Sequence, residues 1–347
     1  MNKRKWLITT IMIVFILGYV GYDLSLVQAG LEEPSEAVLA TAAANTLTDS
    51  PPLPISTYEH FSVPVEGKIT VAVHMREAQN AAANILMVHG AGGGAWVWEE
   101  YFELLPETYN LYAISWRGHF ISAPVADANS ADYVRDQTAV ITAIAERNDL
   151  PIHVIGHSYG GATSVLATAA APEQVASLHL LAPVVPLNYT SIQKQLVPLI
   201  MTPILSNQSV QELAVAEETT VSGADTQGSG TYAGMFLNQA QMERYWDLHA
   251  AKPYSVEKPS LIGGDGLDPA WQTTLDEAYT AIGAAKIPVW FQIARYDNVV
   301  IPAEQRETAD AMGAAHIELE SGHYIQLDVA AEESAKVITK NLASLNP

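Results

Sequence analysis

The stretch VIGHSYGGATSVLATAA, residues 154–170, decides how the rest of the chain is read. Its first part is an apolar run closing on glycine, as a buried strand does, and its second is rich in alanine and other residues that suit a helix. Ser158 lies on the very short connection between them, flanked by Gly156 and Gly160 at the spacing Gly-x-Ser-x-Gly. A sharp strand-to-helix turn presses neighbouring backbones together, so the residues around it must be small, and Gly161 and Ala162 extend that run. Two roles fit Ser158. It is either a nucleophile raised on a strained turn, with helix amides behind it, or a serine that caps the helix.

Working outward, the same buried-strand pattern recurs. ITVAVHMR (69–76) alternates as a half-buried strand does. NILMVHG (84–90), NLYAISWRG (110–118), SLHLLAP (177–183), IPVWFQIA (287–294) and AHIELE (315–320) read as further strands, several of them apolar throughout. Residues 131–147 carry Tyr133, Val134, Ile141 and Ile144 on one helical face. Strands alternating with helices predict an α/β fold with a mostly parallel sheet. From 184 to 285 the rhythm breaks, and the expected organisation is a core in two parts, 57–183 and 286–347, with a helical cap, 184–285, inserted between them. Within the cap, residues 205–230 have few large apolar side chains and are expected to open readily, either as a gate to the site or as a solvated loop with no part in access.

The N-terminus begins with the basic MNKRK, followed by an apolar run at 6–22 and the small residues Val27 and Ala29 ahead of Gly30. Residues 1–29 are therefore expected to be an export signal or, if uncleaved, a membrane anchor, with 30–56 as a flexible linker. Either way the folded part is expected outside the cytoplasm, periplasmic or secreted, and touches a membrane only through that segment. The 17 basic and 38 acidic residues give a net charge of −21, which argues against nucleic acid as a partner. There is no cysteine, so a thiol nucleophile and thiolate metal sites are excluded. Neither a phosphate loop nor a dinucleotide fingerprint is present, and no cofactor is expected.

A nucleophilic serine needs a general base, and the base needs an orienting acid. Asp297 follows a buried strand in VWFQIARYDNVVIP, and His323 sits in a tight turn after the last strand in IELESGHYIQLD. Asp265 and Asp268 are rival acids within the cap, and His316 falls inside a strand pattern. Two amides must face the developing oxyanion, and Ala91, after His-Gly, and Tyr159, after the nucleophile, are the candidates. His89 is expected to pin the loop by hydrogen bonds. Trp96 and Trp246 are candidate substrate-lining residues, with packing as the alternative for Trp96, an aromatic beside a helix start.

Together HGAGGG, SWRGH, GHSYGG, ARYDNVVIP and SGHYIQLD resemble the motifs of the α/β-hydrolase superfamily, in its order and spacing, over roughly residues 64–183 and 287–347. The resemblance implies the α/β-hydrolase fold, the triad Ser158, Asp297 and His323, and an oxyanion hole from Ala91 and Tyr159. Serine at the elbow departs from the dehalogenase and epoxide hydrolase branches of that superfamily, which use aspartate there. The His-Gly loop is similar to the methylesterase and hydroxynitrile lyase branch, but Tyr324 stands where the lyases carry lysine. Phe120 stands where many members have glycine. A small-molecule carboxylic ester, lactone or thioester is the implied substrate. Other possibilities are a catalytically silent ligand-binding relative and the same triad used for lysis or perhydrolysis.

Overall fold

A computed structural model of the protein describes residues 54–91, 93–125, 128–186, 269–297, 300–327 and 329–345. The expected export segment, most of the expected linker and most of the expected cap, with Trp246, Asp265, Asp268 and the expected gate at 205–230, lie outside the described residues. Among the described residues no helix is long and apolar enough to cross a membrane.

Eight strands form one sheet in the order β1-β2-β4-β3-β5-β6-β7-β8. They are β1 (Glu59–Glu66), β2 (Ile69–Arg76), β3 (Ala83–Val88), β4 (Tyr109–Ser115), β5 (Ile152–His157), β6 (Val175–Leu181), β7 (Val289–Ala294) and β8 (Ala315–Leu319). β1, β2 and β4 pair antiparallel, and every other neighbour pair is parallel. This is the sheet expected from the sequence, with one addition. β1 escaped notice because Pro64 and its polar flanks hide the alternation, and it is tolerated there because β1 is an edge strand. It turns into β2 through Gly67, at φ +56, and Lys68, the positive φ that a tight hairpin turn demands.

Among the described residues six helices cover the sheet: α1 (Glu99–Leu104), α2 (Ser130–Ala145), α3 (Tyr159–Ala170), α4 (Pro269–Ala284), α5 (Pro302–Met312) and α6 (Ala331–Leu345). α2 opens on a reciprocal cap, in which the Asn129 side chain accepts from the Asp132 amide and the Asp132 carboxylate accepts from the Asn129 amide. One core, with Leu86, Val154, Leu178 and Phe291, lies on the α2 and α3 side of the sheet, and the other, with Met87, Trp98, Ile155 and Ile338, lies under α1 and α6.

Two expected boundaries shift. The expected cap runs to 285, yet α4 packs on α3 and buries Leu275, Ala278, Tyr279 and Ile282 in the first core. These residues recur at helical spacing, and burying each of the large ones contributes on the order of 2 kcal/mol, so α4 belongs to the core. The expected linker runs to Ser56, but Ile55 is buried and its amide donates to Glu99 Oε1 at 2.6 Å.

The loop after β4 is fixed by charge. Arg117 is 2 % exposed, and its Nε and Nη2 donate to Asp136 Oδ1 at 2.8 and 2.6 Å while its own amide reaches Asp136 Oδ2 at 2.9 Å. Asp132 accepts a further bond from Nη1 at 3.0 Å. A buried guanidinium is tolerated when its donors are met in this way.

Candidate active site

The parallel register brings the strand ends to one edge. Val88 of β3 pairs with Gly156 of β5, so His89 and Gly90 emerge level with His157 and Ser158. Leu181 of β6 pairs with His157, and Ala294 of β7 with Leu319 of β8, which sets Asp297 and His323 along the same edge.

Ser158 has φ 53 and ψ −125, outside the regions open to ordinary L-residues, and such a conformation costs about 1–3 kcal/mol. It persists because its surroundings hold it. Its amide donates to Leu181 O at 3.0 Å, and its carbonyl accepts from Gly161 at 2.9 Å and Val184 at 3.0 Å. A Cβ on Gly156 would lie 2.7 Å from Gly160 O, and one on Gly161 would lie 2.7 Å from Pro183 Cβ. A Cβ on Gly160 would run into the main-chain carbonyls of His89 and Val88. Gly160→Ala is therefore expected to destabilise the fold by about 3 kcal/mol, because backbone on both sides must move. A urea melt showing an unchanged midpoint would contradict that packing. Although Ser158 precedes α3, its side chain makes no capping bond. The helix-cap role is set aside, and Oγ is left at the positive end of α3.

His323 and Asp297 meet. His323 Nδ1 lies 2.8 Å from Asp297 Oδ2, with both residues buried. The carboxylate can only accept, so Nδ1 carries the proton and Nε2 is left as the basic nitrogen. Asp297 Oδ1 accepts from the Val300 amide at 3.0 Å. The two loops are stitched together before the site by Arg295 N to Leu319 O, 3.0 Å, and Tyr296 N to Ser321 O, 3.1 Å.

His89 fixes the opposite wall. Its Nε2 accepts from the Trp116 amide at 3.2 Å, so Nδ1 is the donor, and it bonds to Gly90 O at 2.7 Å. Burial, and His119 nearby, push its pKa well below the ordinary value and keep it neutral. The Gly93 amide donates to the same carbonyl at 3.2 Å. In a trans peptide the Ala91 N–H points opposite to that carbonyl, and Ala91 makes no hydrogen bond among the described residues. Tyr159 turns its ring into the first core, where its hydroxyl bonds Ser130 Oγ, so its amide at the start of α3 is what it can offer the site.

Other expectations resolve differently. Trp96 is 4 % exposed and packs in the second core with Met87, Trp98 and Tyr101, so it is a core side chain rather than the expected substrate-lining one. The packing role, the alternative open to an aromatic beside a helix start, is the one realised, because the 3-10 turn Ala95–Trp98 directs the side chain inward. His316 lies in β8, 3.7 Å from Asp310, away from the pair. Phe120 has φ 47, the conformation for which glycine is the usual choice, and its Cβ packs against Gly94 of the His-Gly loop. His157, whose Nε2 lies 2.9 Å from His323 O, was not singled out in the sequence.

A profile of the alpha/beta hydrolase family matches residues 85–337. The chain belongs to that family. Among curated relatives of this hydrolase, Lipase LipV of Mycobacterium tuberculosis is 30 % identical over 132 residues, 37 % of this chain and 48 % of that one. A 2-hydroxy-6-oxononadienedioate/2-hydroxy-6-oxononatrienedioate hydrolase of Cupriavidus pinatubonensis is 26 % identical over 121 residues, 33 % of this chain and 41 % of that one. The hydrolase thus spans less than half the length of these relatives. Among solved structures, haloalkane dehalogenase DbeA from Bradyrhizobium elkani superposes with a TM-score of 0.64 at 18 % identity, covering 83 % of this chain and 97 % of that one. Haloalkane dehalogenase DatA from Agrobacterium tumefaciens gives 0.61 at 17 % identity, covering 83 % and 97 %. Likeness at that identity concerns the fold.

Proposed function

We propose that this α/β hydrolase is a serine hydrolase that cleaves a small-to-medium carboxylic ester, lactone or thioester through an acyl-enzyme on Ser158. The observation that carries this reading is the strained, uncapped Ser158 on the sheet edge that also presents the buried His323–Asp297 pair. His323 Nε2 takes the proton from Ser158 Oγ as Oγ attacks the carbonyl carbon. The Ala91 and Tyr159 amides hold the oxygen as it gains charge. As the tetrahedral species collapses, the bond to the alcohol or thiol breaks and His323 returns the proton to that leaving group. Water, deprotonated by His323, then attacks the acyl-enzyme and releases the acid. Asp297 keeps the imidazole in the tautomer that leaves Nε2 basic.

The names of the relatives, a lipase and a 2-hydroxy-6-oxononadienedioate hydrolase, support a hydrolytic reaction. The dehalogenases share the fold, but an elbow serine supports acyl chemistry over halide displacement. The basic and apolar N-terminal pattern supports an export signal or anchor, which would place the reaction outside the cytoplasm. The test is hydrolysis of p-nitrophenyl esters of short and medium chain by the wild type and Ser158→Ala. Loss of about 10³-fold or more is expected in the variant. Equal rates would remove Ser158 from the chemistry.

A further inference from the structure

The proposed reaction gives His157 no role, yet this side chain lies between the strand end that carries Ser158 and the turn that carries His323. It ends β5 immediately before Ser158 and is 1 % exposed. Its ring centroid lies 4.8 Å from that of His323 and 5.0 Å from that of Tyr324. Nε2 is 2.9 Å from the His323 carbonyl, and because a carbonyl only accepts, Nε2 carries the ring proton. The other nitrogen, Nδ1, is buried against Gly90, where a Cβ would lie 3.1 Å from it and 2.9 Å from Ser158 Cβ. Among the described residues Nδ1 has no hydrogen-bond partner.

Filling this position with an imidazole is costly, since a buried acceptor without a donor is destabilising and an aliphatic side chain would have none. What the imidazole supplies and an aliphatic chain cannot is the Nε2 proton, and its bond goes to the His323 main chain. Burial and the neighbouring His323 both disfavour its protonation, so His157 remains a neutral donor when His323 becomes charged. His323 lies in a loop after β8, outside regular structure. Its side chain is fixed by Asp297 at Nδ1 and its main chain by His157. Two attachments leave the direction of Nε2 determined, and the second of them is rooted in the same strand that carries Ser158.

We infer that His157 is a positioning residue, whose ring N–H ties the His323 backbone to β5 and so holds the imidazole in register with Ser158. The inference rests on the Ser158–His323 reading proposed above. Its test compares two substitutions of similar size, His157→Leu, without a donor, and His157→Gln, with an amide N–H near the Nε2 position. His157→Met replaces the leucine variant if that fails to fold.

In the full chain, three quantities separate the roles. They are the rate of Ser158 labelling by a fluorophosphonate, kcat and KM on a p-nitrophenyl ester, and the far-downfield NMR resonance of the His323 Nδ1 proton bonded to Asp297. For the leucine variant, labelling and kcat are expected to fall about 10- to 100-fold with KM little changed, since small misplacements carry penalties of that size. The resonance should broaden through exchange, and glutamine should restore all three readings. A folded leucine variant that labels at the wild-type rate and keeps a sharp resonance overturns the inference. So does a glutamine variant as impaired as leucine, because shape and not the donor would then matter. If wild-type protein is not labelled while the resonance still follows the donor, the tie between His157 and His323 stands and the nucleophile assignment falls.

Discussion

Asparagine in place of Asp297 is expected to lower kcat about 10⁴-fold while leaving KM and the fold nearly unchanged, the size seen when a triad acid loses its charge but keeps its shape. Both carboxylate oxygens are in use: Oδ2 faces His323 Nδ1 at 2.8 Å and Oδ1 accepts from Val300 N at 3.0 Å. An amide has a single acceptor oxygen. With that oxygen kept by Val300, its NH₂ faces His323 Nδ1, which must then become the acceptor. The ring proton moves to Nε2, and the nitrogen needed to take the Ser158 proton is blocked. The measurement is kcat for Asp297→Asn on the best ester found, alongside a thermal melt to show that the variant is folded. A loss of less than about tenfold would mean that another carboxylate orients the base, and Asp265 and Asp268 would become the candidates.

A second large effect is expected on acidification. Burial lowers the pKa of His74 and His153 to about 4 and that of His179 to about 3. His179 stacks on Trp290 at 4.8 Å, and neither of its ring nitrogens finds a partner among the described residues. His89 and His157 are shifted the same way. For each, the folded pKa lies below that of the unfolded chain, so between the two values the unfolded state binds more protons and stability rises with pH. These groups cost nothing above the ordinary histidine pKa of about 6.5, and the penalty builds as pH falls from there towards the folded value. At pH 5 a group shifted to 4 has lost about 2 kcal/mol, and His74, His153 and His179 together about 6. That is comparable with the whole stability of a typical domain, about 5–15 kcal/mol. Melting temperature measured across pH should be flat above neutrality and fall steeply between about pH 6.5 and pH 5. A melting temperature held down to pH 5 would show that these imidazoles gain protons without unfolding.

The sheet was largely legible because its inner strands carry unbroken apolar runs. β2 coincides with the stretch 69–76, and the other predicted strands differ from the observed ones mainly at their ends. What escaped has physical causes. β1 is an edge strand with a proline and polar flanks, and it lacks the buried pattern that marks a central strand. α4 was assigned to the cap because it follows a long insertion, and only its packing on α3 shows where its apolar face goes. The residues of the candidate triad were legible as candidates because they lie just past the C-terminal ends of β5, β7 and β8, where this architecture gathers its functional groups. The choice between packing and lining for Trp96, and any role for His157, were not legible for the opposite reason. Their roles depend on direction and on a distant partner, as with the His323 carbonyl 166 residues beyond His157. Spacing along the chain carries neither.

The most direct measurement is the mass of the intact protein after exposure to a fluorophosphonate, with the modified residue located by peptide sequencing. A nucleophile activated by His323 and stabilised by the Ala91 and Tyr159 amides should take up one phosphonyl group on Ser158, and the Ser158→Ala protein none. Folded wild-type protein that remains unmodified, or that carries the group on another residue while Ser158→Ala is labelled equally, would contradict Ser158 as the nucleophile.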